Sequence, residues 1–311
     1  MFFKKNLNQA ARAVILPFRD QWVLAAARQA GARLELERLN SFERDSKDVQ
    51  ALRRISGSFD VGSSILSTLL VSGEYQLLQT EAPDLQDRAE LKEALRWKIK
   101  EMVDFPVEQA TLDFFDIPQE GTAAGRGRQV FVVIAKNDVL RPKIELFQDA
   151  RLPLSVVDIP EMGMRNIARL FETQLRGLAL LNFTPVGGML LFTFRGELCA
   201  VRRIEITLEQ LETAEDGRLT ELFDRIALEV QRSVDNFERQ FNAITLSRLV
   251  TPEMQSVPGM LDYLKDYLSI KVEAMDLAEV IDFPSVPELK NTRRQAELMP
   301  VIGAALRVEA S

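Results

Sequence analysis

The chain has 311 residues, more than one hydrophobic core usually organises, so two domains or one bilobed body is expected. Its 46% hydrophobic and 27% charged residues are those of a globular rather than a disordered protein. A net charge of −7 argues against nucleic acid as a partner, and the absence of histidine excludes Ser-His and Cys-His relays and imidazole-bound metals.

In chain order, the opening MFFKK carries Lys4 and Lys5, with Arg12 close behind. It is too short for a nucleic-acid arm, lacks the apolar core of a secretory signal, and reads as a solvated terminus. AVILPFRDQWVLAAARQAGARLELERL reads as short strands broken at Pro17–Asp20 and at Ala30–Gly31. A strand pair is expected at 64–71 and 75–80. A long helix follows, opened by Asp87 and Glu90, with Leu91, Leu95, Ile99 and Met102 on one face and Pro106 as its terminator.

Residues 110–117 and 129–135 read as strands around the flexible linker QEGTAAGRGR, which has no Walker spacing. A helix (139–150), a strand (154–159) and a helix (161–176) come next. The uncharged run 177–194 is near bilayer length, but Asn182, Thr184, Pro185, Gly187 and Gly188 fill its middle, so two buried strands and a turn are expected. The single cysteine, Cys199, excludes an intrachain disulfide and reads as an inert buried thiol. A long helix then carries Leu222, Phe223, Ile226, Val230, Val234 and Phe237 on one face. A strand (243–250), the Pro258-Gly259 turn, a helix (260–268), a strand (270–276), a loop (279–292) and a last apolar helix complete the chain. Both halves run from a strand cluster through helix, strand and helix, which predicts two related α/β lobes.

ELKEALRWKIKEMVDFPVEQATLDFFDI resembles the segment of PilM-type type IV pilus proteins in which a helix ends at an aromatic-proline step before a strand. LSVVDIPEMGMRNIARL, ELFDRIALEVQRSVDNFERQF, VPGMLDYLKDYLSIKVEAMD and VIGAALR follow that family's order across nearly the whole chain. Within it, the short start and eroded nucleotide motifs are most similar to the MshI-type branch of the MSHA pilus system. The resemblance implies an α/β, actin-like (ASKHA) bilobed fold of two RNase H-like lobes with a small subdomain inserted in the first. Its expected bounds are 1–80 plus 152–176 for the first lobe, 81–151 for the insert and 177–311 for the second lobe, with the last helix able to pack back on the first. It also implies a cytoplasmic protein beneath an inner-membrane platform that binds the cytoplasmic tail of a PilN-like bitopic protein, and in some members self-association. The cytoplasmic part of the type II secretion protein GspL is the second relative, although the transmembrane helix expected after such a body is missing from the sequence.

In an actin-like ATPase two hairpins each carry an Asp with a Gly two residues on, and a Gly-rich loop covers the adenosine. Here Leu16 and Pro17 stand at the first carboxylate position, and Asn182 and Thr184 replace the Asp and Gly of the second. Gly187 and Gly188 read as a hairpin turn rather than an anion nest, and only Pro258-Gly259 remains of the adenosine loop. The expectation is a pseudo-ATPase with no cofactor, Mg-ATP being disfavoured; the alternative is an active ATPase using Asp20, Glu197, Glu229 and Asp235. Candidate partner contacts are Trp97, Phe105, Pro106, Phe114 and Phe115, weighed against their being subdomain core. Phe114 and Phe115, adjacent on a strand, point to opposite faces, which leaves one free for display. Lys92, Arg96 and Lys100 form a basic stripe at helical spacing.

Overall fold

The computed structural model describes residues 11–31, 33–44, 48–58, 64–120 and 127–307. Lys4, Lys5 and most of the 119–128 linker lie outside those residues.

The first sheet begins with a meander, β1 (Arg12–Phe18), β2 (Gln21–Ala30) and β3 (Arg33–Glu43). Strand alternation divides β1 between two faces. Ala13 and Ile15 pack with Trp22, Leu52 and Ile55 of α1 (Asp48–Ser58), whereas Val14 and Leu16 join the main core. β4 (Ile65–Leu69) lies parallel to β1 on one side and to β8 (Leu154–Asp158) on the other.

Between β4 and β8 the chain makes a separate sheet of β5 (Gln76–Glu81), β7 (Gln129–Lys136) and β6 (Ala110–Asp116), in that order, covered by α2 (Arg88–Lys98). The strand pair expected at 64–71 and 75–80 does not form. β4 stays in the lobe's sheet while β5 pairs with β7, so a boundary at residue 81 cuts β5 from its own partners. The other expected boundary, at 151, is also displaced. α3 (Asn137–Asp149) sends Phe147 into the core shared by Trp22, Leu52 and Ile55, so this helix packs with the first lobe.

α4 (Pro160–Phe171) leads into the second sheet: β9 (Gly177–Thr184), β10 (Gly187–Phe194) and β11 (Glu197–Ile204), then α5 (Leu208–Thr213) and α6 (Asp216–Gln240). β12 (Leu246–Pro252), α7 (Met260–Tyr267) and β13 (Val272–Met275) complete that lobe. The strand order β11-β10-β9-β12-β13 repeats the β3-β2-β1-β4-β8 order of the first lobe, with the same antiparallel meander and parallel pair. The uncharged run 177–194 is therefore the β9–β10 hairpin, and no helix among the described residues is long and apolar enough to cross a membrane.

The region expected as a loop at 279–292 contains β14 (Ile281–Asp282), which adds in parallel to the β3 edge of the first sheet. The last helix, α8 (Thr292–Ala305), packs on β1, β2 and β4 of one lobe and on β9 and β12 of the other. It crosses α4 at a glycine pair. A Cβ on Gly163 would lie 2.2 Å from the Pro300 carbonyl oxygen, and one on Gly303 would lie 1.9 Å from the Gly163 oxygen. Each glycine costs its helix about 1 kcal/mol in propensity, offset here by close backbone approach.

Candidate functional site

The β1–β2 and β9–β10 hairpins and the loop after β12 all meet the N-terminal half of α8, through Arg19, Asn182 and the Glu253 carbonyl. At the first hairpin Leu16 is buried in the core and Pro17 pairs with Trp22 in the ladder. The two-residue turn is Arg19-Asp20, and Arg19 takes the left-handed φ of 55° that glycine adopts without cost. Its guanidinium crosses to Glu297 of α8, Nη2 to Oε1 3.0 Å. Glu297 is only 3% exposed and also receives Arg293 at 2.9 Å and Arg294 at 3.2 Å. Arg293 in turn grips Glu212 of α5, whose carboxyl that hydrogen bond holds below the usual glutamate range. An internal ion cluster thus joins the first hairpin to α8, and α8 to the second lobe.

At the second hairpin Asn182, 1% exposed, donates through Nδ2 to the Ala296 carbonyl of α8 at 2.9 Å. The Thr184 hydroxyl donates to the Gly187 carbonyl at 3.0 Å and closes the turn. Gly187 and Gly188 are ladder residues paired with Thr184 and Phe183, and the turn itself is Pro185-Val186. Gly188 is required by packing, since a Cβ there would stand 2.5 Å from the Phe183 ring. These two amides therefore belong to a hairpin rather than a nest, because successive N–H groups of a paired strand point to opposite edges and do not converge on one anion. At the third loop Gly259 (φ 82°) opens α7, and Glu253, Met254 and Gln255 line the adjacent groove together with Pro258.

The carboxylates of the alternative ATPase are not assembled. Asp20 is exposed at its turn, Glu197 pairs with Arg165 at 2.8 Å, Glu229 faces Arg202, and Asp235 accepts from Gln231. Cys199 is buried, and burial pushes its thiol well above the ordinary range, which leaves it protonated.

On the inserted sheet, Trp97 is 60% exposed, with the Lys100 ammonium 5.0 Å from its ring centre. Pro106 is exposed, and Phe105 is half-buried under Lys136. Phe114 is buried beside Leu91 and Leu95, with the Arg88 guanidinium 4.4 Å from its ring centre. Phe114 and Phe115 do face opposite ways, yet neither is displayed: Phe115 packs on Phe131, ring centres 5.3 Å apart, against the main core. Two expectations about α2 also change. The helix ends at Lys98, well before Pro106, and a 3-10 turn over 100–102 rotates Met102 outward to 47% exposure. The basic stripe is not free either, because Arg96 donates to the Val107 and Ala110 carbonyls at 2.6 and 2.9 Å. Arg96 thereby ties the loop carrying Phe105 and Pro106 to the helix carrying Trp97.

A further cluster escaped the sequence reading. Glu161 of α4, 1% exposed, accepts from the Tyr75 hydroxyl at 2.6 Å and from Arg203 of β11 at 2.7 Å. Arg203 also donates to the Ser72 hydroxyl at 3.1 Å, joining the second lobe to the root of the insert. Burial, followed by the Glu161 charge, pushes the Tyr75 phenol far above its ordinary value, so it remains a donor. Nothing in local sequence marks these three residues as neighbours. Gly163 and Gly303, by contrast, were detectable as glycines inside helical patterns.

The two sheets of repeated strand order, with α4 and α8 crossed against them, define an actin-like fold. Among solved structures, the chain is similar to the PilM-PilN type IV pilus biogenesis complex, with a TM-score of 0.71 and 18% identity, covering 96% of this chain and 98% of that one. It is also similar to a Bacteroides thetaiotaomicron protein with an actin-like ATPase fold (TM-score 0.53, 10% identity, 99% and 100% covered). A third is the cytoplasmic domain of EpsL, an inner-membrane component of the Vibrio cholerae type II secretion system (TM-score 0.50, 12% identity, 87% and 92% covered). No protein-family model and no curated protein sequence matches the chain.

Proposed function

We propose that the protein is a PilM-like adaptor of a type IV pilus assembly platform, a cytoplasmic scaffold that holds the cytoplasmic tail of a PilN-like bitopic protein at the inner membrane. The near-complete overlay on the PilM-PilN complex is the observation that carries this reading. Trp97 and Pro106, exposed on one Arg96-braced unit of the insert, are the contacts assigned to the tail. Aromatic anchors of this kind supply much of the binding energy in protein grooves.

Nucleotide hydrolysis has been given up in this reading. The support is local: Leu16 buried in place of a carboxylate, Arg19 spent on Glu297, and Asn182 spent on the α8 backbone. The same erosion favours the MshI-type branch of the MSHA system over an ATP-cycling relative. The test is capture of membrane-platform proteins with the full chain as bait, beside Trp97→Ala. Recovery of a PilN-like protein, reduced by the substitution, supports the adaptor. Recovery of type II secretion components instead would move the protein to the EpsL-like machinery.

A further inference from the structure

A groove of about 670 Å³ opens at the carboxyl ends of the parallel strands β12 and β13, between the loop after β12, the first turn of α7 and the turn after β13. Such crevices are where α/β sheets place ligands. Its floor is apolar and adaptable: Met254, Val257, Met260 and Met275 line it and are buried. Its wall carries Glu253, Asp262, Asp276 and Glu279, and among the described residues no lysine or arginine lines it. Lys265 stands outside and pairs with Asp262 at 3.0 Å, Arg33 donates to the Glu279 carbonyl oxygen at 3.1 Å, and Asp276 accepts from neutral donors, the Gln295 amide and the Ala278 N–H. Four carboxylates against these two cations leave negative charge unmatched at the groove. The opening of α7 contributes only about half a positive charge against them.

A polyanion such as a nucleoside triphosphate meets repulsion here. A segment with lysine or arginine flanked by aliphatic side chains meets both an oily floor and an acidic wall. We infer that this groove binds a short basic, aliphatic-flanked segment of a protein partner. The groove's preference for a basic peptide stands apart from the adaptor reading.

The experiment is fluorescence anisotropy of the full chain with a labelled pentapeptide alternating leucine with lysine and arginine, beside the same peptide with glutamates for the basic residues. Saturable binding of the basic peptide alone is expected. E253K/E279K, which reverses two exposed rim charges, should weaken it about tenfold, as two surface charge contacts of up to about 1 kcal/mol each imply. E145K/E209K, which makes the same net-charge change elsewhere, should leave it unaltered. Absence of saturable binding, equal binding of the acidic peptide, unchanged affinity in E253K/E279K, or displacement of the probe by Mg-ATP would each overturn the assignment. Parallel capture of the platform proteins keeps the two readings apart. A captured tail with no probe binding sinks the groove alone, whereas probe binding without a captured tail sinks the adaptor alone.

Discussion

Gly303→Ala addresses how the lobes are held together. The added methyl would sit 1.9 Å from the Gly163 carbonyl oxygen and 2.6 Å from its carbon. An ordinary carbon–oxygen approach is about 3.3–3.6 Å, so α4 and α8 must separate by more than 1 Å. The clash is with backbone, which no rotamer change relieves. Overpacking of this kind costs about 1–3 kcal/mol. Separation also threatens the hydrogen bond from Asn166 Nδ2 to the Gly303 carbonyl, 2.9 Å long and buried, for about 1 kcal/mol more. A total of about 3 kcal/mol lowers the apparent Tm by roughly 5 °C at this chain length. Gly217→Ala in α6 is the control, since nothing lies within 4 Å of its Cβ position. That change should be neutral or stabilise by up to about 1 kcal/mol. Thermal melts followed by circular dichroism give both values. If the two variants shift alike, the glycine crossing is not what closes the body.

Arg203→Ala leaves the Glu161 carboxylate buried with only the Tyr75 hydroxyl of its two partners. Because Arg203 is 45% exposed, the cost is discounted to about 2 kcal/mol in urea unfolding, and hydrogen exchange should rise on both sides of the lobe contact. Arg96→Ala removes two bonds to carbonyl oxygens and should destabilise the insert by about 2 kcal/mol, read as faster proteolysis at residues 103–109. Glu212 has a folded-state pKa below its ordinary 4.5, first through the Arg293 hydrogen bond, so its contribution is present above pH 4.5 and lost as pH falls through the lower value. The stability gap between wild type and Glu212→Gln should therefore close on acidification, and a gap that widened below pH 4.5 would contradict the linkage.

The repeated lobe was legible because the apolar runs of β1, β2, β9 and β10, bounded by turn residues, and the 3.6-residue period of α6 are strong local signals. Pairing was less so. β4 and β5 are both apolar and close in sequence, yet a sheet edge far along the chain, at β7, captures β5. The Met102 error arose because the heptad-like spacing continues past the point where the helix tightens into a 3-10 turn. At the candidate site the residue types at 16–20 and 182–188 could be read directly. The contacts those residues make could not. Arg19 with Glu297, and Tyr75 with Arg203, are joined by tertiary packing over separations that no local motif records.

The most direct test of the central claim is calorimetric titration of the full chain with Mg-ATP. The account predicts no saturable heat, because the side chains that would meet phosphate and metal are already paired with α8. Saturable binding, with the phosphates located over residues 182–188 in a nucleotide-soaked crystal, would contradict it.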